Sequence, residues 1–352
     1  MDVKQDGKRI IAFDNMKGLL ILLVVFAHIL KNKAIADPIV IGIYLFHMPA
    51  FIFISGYFSR GIQARGGYSL LRLLIIYLVF NGLMMIVFGY KNPNAIEPYY
   101  VMWYIMCLIV WRLIAERLSK IKHILMLLVL AAIICGMWTS IDNSFAISRI
   151  IAFSPFFMAG YSVDKEMINS IVLLKNKRHL IIGILLALLA TGVGILAYNK
   201  FAFTVDNLTM DPYDNIIDVF ERITTFLISS AAIFTMLVIV PNKPVPLVSK
   251  IGRNSLGIFL CHRPITIITA RHLPLMQLSQ LLLVSATITV GLCIVFGSDF
   301  VNKTINAFFN IATDIVLGKN VADVRFAGIV KLVLMVLATI LALLPVISIV
   351  WR

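Results

Sequence analysis

Apolar residues along this chain alternate with polar ones at neither the strand nor the amphipathic-helix period. They run on for most of the ~20 positions that a membrane-crossing helix needs and stop at short polar clusters. The runs fall at about 12–30, 38–58, 70–89, 99–114, 124–139, 147–163, 180–198, 223–240, 254–270, 276–297 and 327–350. The pattern predicts an all-α polytopic membrane bundle of about ten or eleven transmembrane helices. Residues 298–326 differ, because apolar positions return there at helical spacing with charges between them. That stretch predicts a helix lying on the membrane surface, or a loop packed on the bundle, before the last span. No internal repeat or low-complexity segment divides the chain, so 1–352 reads as a single membrane-embedded domain.

Composition sharpens this picture. The chain is 61% hydrophobic and 14% charged, against roughly a quarter charged in soluble proteins. A soluble enzyme, a secreted protein and a nucleic-acid binder are excluded on that ground. The net charge of +14 then belongs to loops, since Lys and Arg crowd the cytoplasmic side of membrane proteins. With the N-terminus placed in the cytoplasm, most Lys and Arg fall inside, among them Lys8, Arg9 and Lys17, Arg60, Arg65 and Arg72, and Arg112 to Lys122. Lys31, Lys33, Lys91, Arg149, Lys200, Arg222, Arg271 and Arg352 fall outside. The 199–222 segment becomes the longest outer loop, with Asp206, Asp211, Asp214, Asp218 and Glu221. The first apolar run has no small-residue cleavage site and is expected to remain as a helix. Cys107, Cys135, Cys261 and Cys293 lie inside apolar runs without metal or CxxC spacing and read as core.

Ionisable residues inside apolar runs cost a few kcal/mol unless they face a cavity or a partner, so they mark candidate chemistry. The first helix carries Asp14, Lys17 and His28. Lys17 and His28 are eleven residues apart, about 20° from eclipsed and roughly 16 Å along the axis, and Asp14 lies on the same side. A snorkelling Lys17 and an interfacial His28 would explain either residue alone; the pair on one stripe favours function. His47, on the next helix, sits at a similar depth. Pro49 bends that helix, and Ser55 and Gly56 suit close helix packing. Arg149 opens the sixth apolar run, where it would meet lipid headgroups or grip a carboxylate, phosphate or oxyanion. Trp103 and Tyr104 fit an aromatic belt or a face that stacks on a sugar ring. His262 and Arg263 lie inside the ninth run, and no carboxylate pair, metal-ligand spacing, GxSxG elbow or P-loop is present.

Several of these segments resemble the integral-membrane acyltransferase-3 family, and within it the fucose 4-O-acetylase-like branch. RIIAFDNMKGLLILLVVFAH is similar to the family's first helix, with a basic residue, ten residues and a histidine, here Lys17 and His28. YLFHMPAFIFISGYF resembles the second helix, and YSLLRLLIIYLVFN, PYYVMWYI, SRIIAFSPFFMAGY and GRNSLGIFLCH resemble later segments in order. The resemblance implies transfer of an acyl group, usually acetyl, from cytoplasmic acyl-coenzyme A to a sugar hydroxyl of an envelope glycan, with His28 catalytic. It implies about ten spans. Of the family's frequent pair of arginines three apart, only Arg72 is present; Ser69 stands at the other position, and Arg65 is the candidate substitute.

The residues and the resemblance together give one expectation. Lys17, Arg72 and Arg65 bind the phosphates of acetyl-CoA or another acyl-CoA, a donor substrate rather than a resident cofactor. His28, with His47 and Arg149, carries the chemistry as general base or acyl carrier and oxyanion stabiliser. Trp103, Tyr104 and Arg149 hold the acceptor. The expected partners are acyl-CoA, an envelope glycan and membrane lipid in a bacterial plasma membrane, without metal or nucleic acid and with a homo-oligomer left open. The rival expectation is a transporter or flippase of a lipid-linked saccharide, whose path the polar stripe would line.

Overall fold

The computed structural model describes residues 10–31, 33–61, 67–89, 96–138, 140–141, 144–173, 182–184, 186, 210–274 and 276–318. The expected spans at 180–198 and 327–350 lie wholly or mainly outside these residues, as do Arg65 and positions 199–209 of the outer loop. Among the described residues every regular element is helical. The first four α-helices are α1 (Ile11–Leu30), α2 (Asp37–Tyr44), α3 (His47–Ser59) and α4 (Tyr68–Phe88), followed by α5 (Trp103–Leu118), α6 (Ile124–Ile134), α7 (Ile147–Ser162) and α8 (Lys165–Leu173). After them come α9 (Ile216–Ile239), α10 (Pro246–Arg253), α11 (Ser255–His272), α12 (Leu278–Phe296) and α13 (Asp299–Val316). Among the described residues six helical stretches are long and apolar enough to cross a membrane: 11–30, 34–59, 68–88, 144–162, 216–239 and 278–296. The chain is an all-α polytopic membrane protein.

Side-chain ties fix which ends lie together. Asn15 of α1 donates to the Pro241 and Lys243 carbonyls at 2.7 and 2.9 Å and accepts from Ser249 of α10. Arg60, just after α3, donates to the Val163 carbonyl just after α7 at 2.7 Å, and Arg112 of α5 donates to Ser59 at 3.1 Å. At the opposite end Lys33 donates to the Leu273 carbonyl at 2.7 Å. So α1 and α11 run one way, α3, α5 and α7 the other, and the bundle has a Lys17 end and a His28 end.

Small residues let backbones touch where polar groups need alignment. Gly56 and Gly160 meet where α3 crosses α7: a Cβ on Gly56 would collide with the Phe157 carbonyl oxygen, and one on Gly160 with that of Phe53. Gly18 and Gly252 do the same for α1 and α10. Around these crossings Phe13, Met16, Leu20, Ile52, Phe53, Tyr77, Trp111 and Phe157 form a continuous buried core.

Three expectations shift. The apolar run 38–58 is two helices, with the break at Leu45 and Phe46. Pro49 therefore lies in the first turn of α3, where a missing N–H costs no helical hydrogen bond, and His47 opens that helix. The 199–222 segment is helical from Ile216, where Asn215 and Asp218 form a capping box. Arg222 is a buried staple rather than a loop cation. It donates to the Asp211 carbonyl at 2.5 Å and the Ala132 carbonyl at 3.2 Å, and lies 4.4 Å over the Tyr213 ring. Between 298 and 326, the described part is α13. Ser298 caps it by accepting from the Val301 N–H at 3.3 Å. It lies against α4 at the Lys17 end, where Tyr68 donates to the Asn310 carbonyl at 3.2 Å.

Candidate active site

A cavity of about 640 Å³ runs inside the bundle. Every candidate site residue within the described region lines it: Lys17, His28, His47, Arg72, Trp103, Tyr104 and Arg149. The α1 stripe thus faces inward along its whole length. Arg65 is outside the described residues.

At the Lys17 end, Lys17 pairs with buried Asp14 at 3.2 Å, one turn back on α1, and its ammonium lies 5.3 Å over the Phe58 ring. Arg72 comes from α4 and donates to Asn306 Oδ1 of α13 at 2.6 Å; Asn306 in turn donates to Asn302 at 3.1 Å. Arg112 also lines this end and is an electrostatic neighbour of Arg72. The second guanidinium beside Arg72 is therefore Arg112 of α5. Sequence reasoning missed it because Arg112, although inside the 99–114 run, counts with the cytoplasmic cations that follow it.

At the other end three imidazoles gather. His28 Nδ1 lies 3.1 Å from the Tyr44 hydroxyl and 3.4 Å from Arg263 Nη1. Arginine can only donate, so Nδ1 accepts, Tyr44 donates, and the proton of a neutral His28 sits on Nε2. His47 is held the opposite way: its Nδ1–H donates to the Ile43 carbonyl at 2.8 Å, which leaves the lone pair on Nε2. The His262 ring stacks on His28 at 5.4 Å. Its Nδ1–H donates to the Phe259 carbonyl at 2.8 Å, and its buried Nε2 has no partner among the described residues.

Aromatic rings complete this end. The Arg149 guanidinium lies 5.1 Å over the Trp103 ring and that of Arg263 5.2 Å over the Tyr100 ring. Tyr104 and Ser55 share a hydrogen bond of 2.6 Å, so Ser55 faces the cavity while its neighbour Gly56 serves the helix crossing. Tyr44 and Arg263 join the site without having been expected in it. Arg263 carried a signal, being an arginine inside an apolar run; Tyr44 carried none. Among the described residues no cluster of three His, Cys, Asp or Glu has metal-binding geometry.

The arrangement can bind anions at one end and move a proton at the other, within one cavity that is apolar between them at Ile21, Val24 and Ile76. The sequence model of the acyltransferase-3 family, described as an acyltransferase domain, matches residues 10–298. The nodulation protein NolL of Sinorhizobium fredii is 41% identical over 66 residues, 17% of this chain and 18% of NolL. NolL of Mesorhizobium japonicum is 37% identical over 70 residues, 18% of this chain and 19% of that protein. The chain thus matches less than a fifth of the length of these curated relatives. No solved structure matches it.

Proposed function

This chain belongs to the acyltransferase-3 family, and we propose that it transfers an acyl group, acetyl in the simplest case, from cytoplasmic acyl-coenzyme A to a sugar hydroxyl of a cell-envelope polysaccharide or lipid-linked glycan. The observation that carries this reading is the single cavity that joins a cationic end, with Lys17, Arg72 and Arg112, to an imidazole end, with His28 and His47. Within the family, the quoted segments favour the fucose 4-O-acetylase-like branch. The Lys17 end faces the cytoplasm of a bacterial cell, a placement that the Lys and Arg bias of the loops supports.

The donor's phosphates meet the guanidiniums, which bind them with charge-assisted hydrogen bonds. Its pantetheine arm follows the apolar middle, and the thioester arrives near His28, roughly 16 Å along α1 from Lys17. The acceptor hydroxyl gives its proton through the Tyr44 hydroxyl to His28 Nδ1. Its oxygen attacks the thioester carbonyl carbon, the C–S bond breaks, and the departing thiolate takes the proton back from His28. Arg149 and His47 line the cavity where charge develops on the carbonyl oxygen. A flippase would use the same cavity as a path but would not consume a thioester. The test is therefore free-thiol release from acetyl-CoA by the purified protein with a saccharide acceptor. Release that depends on both protein and saccharide is expected; its absence across neutral and anionic saccharides would overturn the reading.

A further inference from the structure

The lone pair on His28 Nδ1 faces two donors, the Tyr44 hydroxyl at 3.1 Å and Arg263 Nη1 at 3.4 Å. The two partners fare differently when the base works. On the acyl-transfer reading, on which this inference rests, the proton of the sugar hydroxyl reaches Nδ1 through Tyr44. A hydroxyl has lone pairs as well as a proton. Tyr44 therefore gives its proton to Nδ1, takes the one from the sugar, and ends by accepting from the new Nδ1–H. A guanidinium can only donate. Once Nδ1 carries a proton, Arg263 faces an N–H and a second positive charge, and its hydrogen bond to His28 is lost. That loss coincides with attack by the sugar oxygen. As the new C–O bond forms, the π pair of the thioester carbonyl moves onto its oxygen. A negative charge thus develops in the site as an arginine N–H is freed beside it.

The surroundings of Arg263 suit that exchange. It lines the cavity, and its contact with Nδ1 is the longer of the two, beyond the usual range for a strong hydrogen bond. Its Nε is buried without a partner among the described residues, so a second N–H of the same group is uncommitted. The guanidinium keeps a support when it leaves Nδ1, because it also lies 5.2 Å over the Tyr100 ring. Tyr100 holds a left-handed φ of 48°, which a bulky residue adopts only where its surroundings impose it, commonly at functional sites. Its ring is braced in turn by Tyr99 at 4.8 Å and Phe88 at 4.9 Å. From this we infer that Arg263 is a catalytic residue: an N–H of its guanidinium passes from His28 Nδ1 to the oxygen of the thioester carbonyl as His28 takes the proton. The return balances it. The oxyanion pair re-forms C=O, the C–S pair leaves on sulfur, sulfur takes the Nδ1 proton, and Nδ1 again accepts from Arg263. Arg149 and His47 flank the same cavity; Arg263 couples charge stabilisation to the state of the base.

Thiol release from acetyl-CoA by the full-length protein with a saccharide acceptor, read beside the thermal midpoint, tests this. Arg263→Gln is expected to lower kcat by about 10²–10³-fold, the range for losing one oxyanion donor, with little change in the KM for acetyl-CoA, whose phosphates meet the other end. Arg263→Lys keeps a charge and a donor and should lose less; it carries the same test where glutamine disturbs the fold. An arginine that merely held His28 in place would also slow turnover, so the deciding comparison is made without the base. Stabilisation of an oxyanion persists when the base is removed. Against the residual turnover of His28→Ala, followed with labelled acetyl-CoA, adding Arg263→Gln or Arg263→Lys should cost about tenfold or more. No further loss in the double variants would make Arg263 a positioning residue for His28 and overturn the inference. Near wild-type kcat in both single variants would overturn it too. Wild-type protein that releases no thiol with any saccharide defeats the acyl-transfer reading and this inference together; thiol release indifferent to Arg263 defeats the inference alone.

Discussion

The two ends of the cavity hold their cations in different ways. At the Lys17 end each is tied through its N–H groups to a polar neighbour, Lys17 to Asp14, Arg72 to Asn306 and Arg112 to Ser59. Three different helices supply those neighbours. At the His28 end the guanidiniums of Arg149 and Arg263 lie over the Trp103 and Tyr100 rings, and His28 and His262 stack beside them. A cation tied by hydrogen bonds is a fixed anchor for a ligand that is the same in every turnover. A guanidinium over an aromatic ring stands beside imidazoles that can take and return a proton. On the proposed reading the difference separates anchorage from chemistry: one end would hold the donor, and the other would move a proton and recognise the acceptor.

The strongest way to break this division is at His28. His28→Ala should lower turnover by the 10²–10⁴-fold typical of removing a general base and leave the apparent KM for acetyl-CoA nearly unchanged. His47→Ala should cost less, because the Tyr44 hydroxyl that relays the proton meets Nδ1 of His28. Turnover of both variants, measured at matched yield and thermal midpoint, checks the order. A reversed order would make His47, through the lone pair on Nε2, the base.

Next in size are the anchors. Arg72→Ala and Arg112→Ala should each raise the KM for acetyl-CoA while turnover at saturation changes little, since a hydrogen bond to a charged group is worth about 1.5–3 kcal/mol. Lys17→Ala should do less, because Asp14 already shares its charge. Asn306→Ala should move KM in the same direction as Arg72→Ala but by a smaller factor, since it loosens the guanidinium without removing it. Steady-state kinetics with varied donor would read all four.

Below these come the crossings that keep the ends in register. Gly56→Ala or Gly160→Ala places a methyl against a carbonyl of the facing helix. Forcing extra volume into a packed contact costs about 1–3 kcal/mol, so the thermal midpoint should fall in both variants. The smallest effect is expected at the start of α13. Asn254 and Lys250 hold the Asp299 carboxyl below its ordinary value by hydrogen bonding; the Lys250 contact is 3.1 Å. A carboxyl with a lowered folded pKa contributes stability that is complete above its unfolded value, near 4, and is lost as pH falls through the lower folded value. Thermal midpoints of wild type and Asp299→Asn should therefore converge on the acid side of pH 4 and differ slightly above it.

Much of the fold was legible in the sequence because each span is a local signal. The α1 stripe was legible for the same reason: the helical repeat alone puts Lys17 and His28 on one side. The break at Leu45 and Phe46 was not, since both residues are apolar and the run continues through them; Pro49 was the nearby mark. That break matters, because it ends α2 at Tyr44 and brings the tyrosine hydroxyl to His28. Arg112 and Arg222 were hidden because both count among the loop cations that set the orientation. Arg263 and His262 were visible as misplaced polar residues, but their meeting with His28 is a contact across more than 230 positions, which no local pattern encodes. His28 itself was singled out; the polarity of its two nitrogens depended on partners that only the packed bundle supplies.

The central claim is that one cavity has a donor door at the Lys17 end and an acceptor door at the His28 end. Oriented proteoliposomes test it most directly. A single exposed cysteine, Lys120→Cys, follows α5 at the Lys17 end and reports by impermeant labelling which way the protein faces. Labelled acetyl-CoA is then supplied to one face and a membrane-impermeant saccharide to the other. Transfer should occur when acetyl-CoA meets the Lys120 face and the saccharide meets the opposite one. Transfer confined to vesicles with donor and saccharide on the same face would contradict the account.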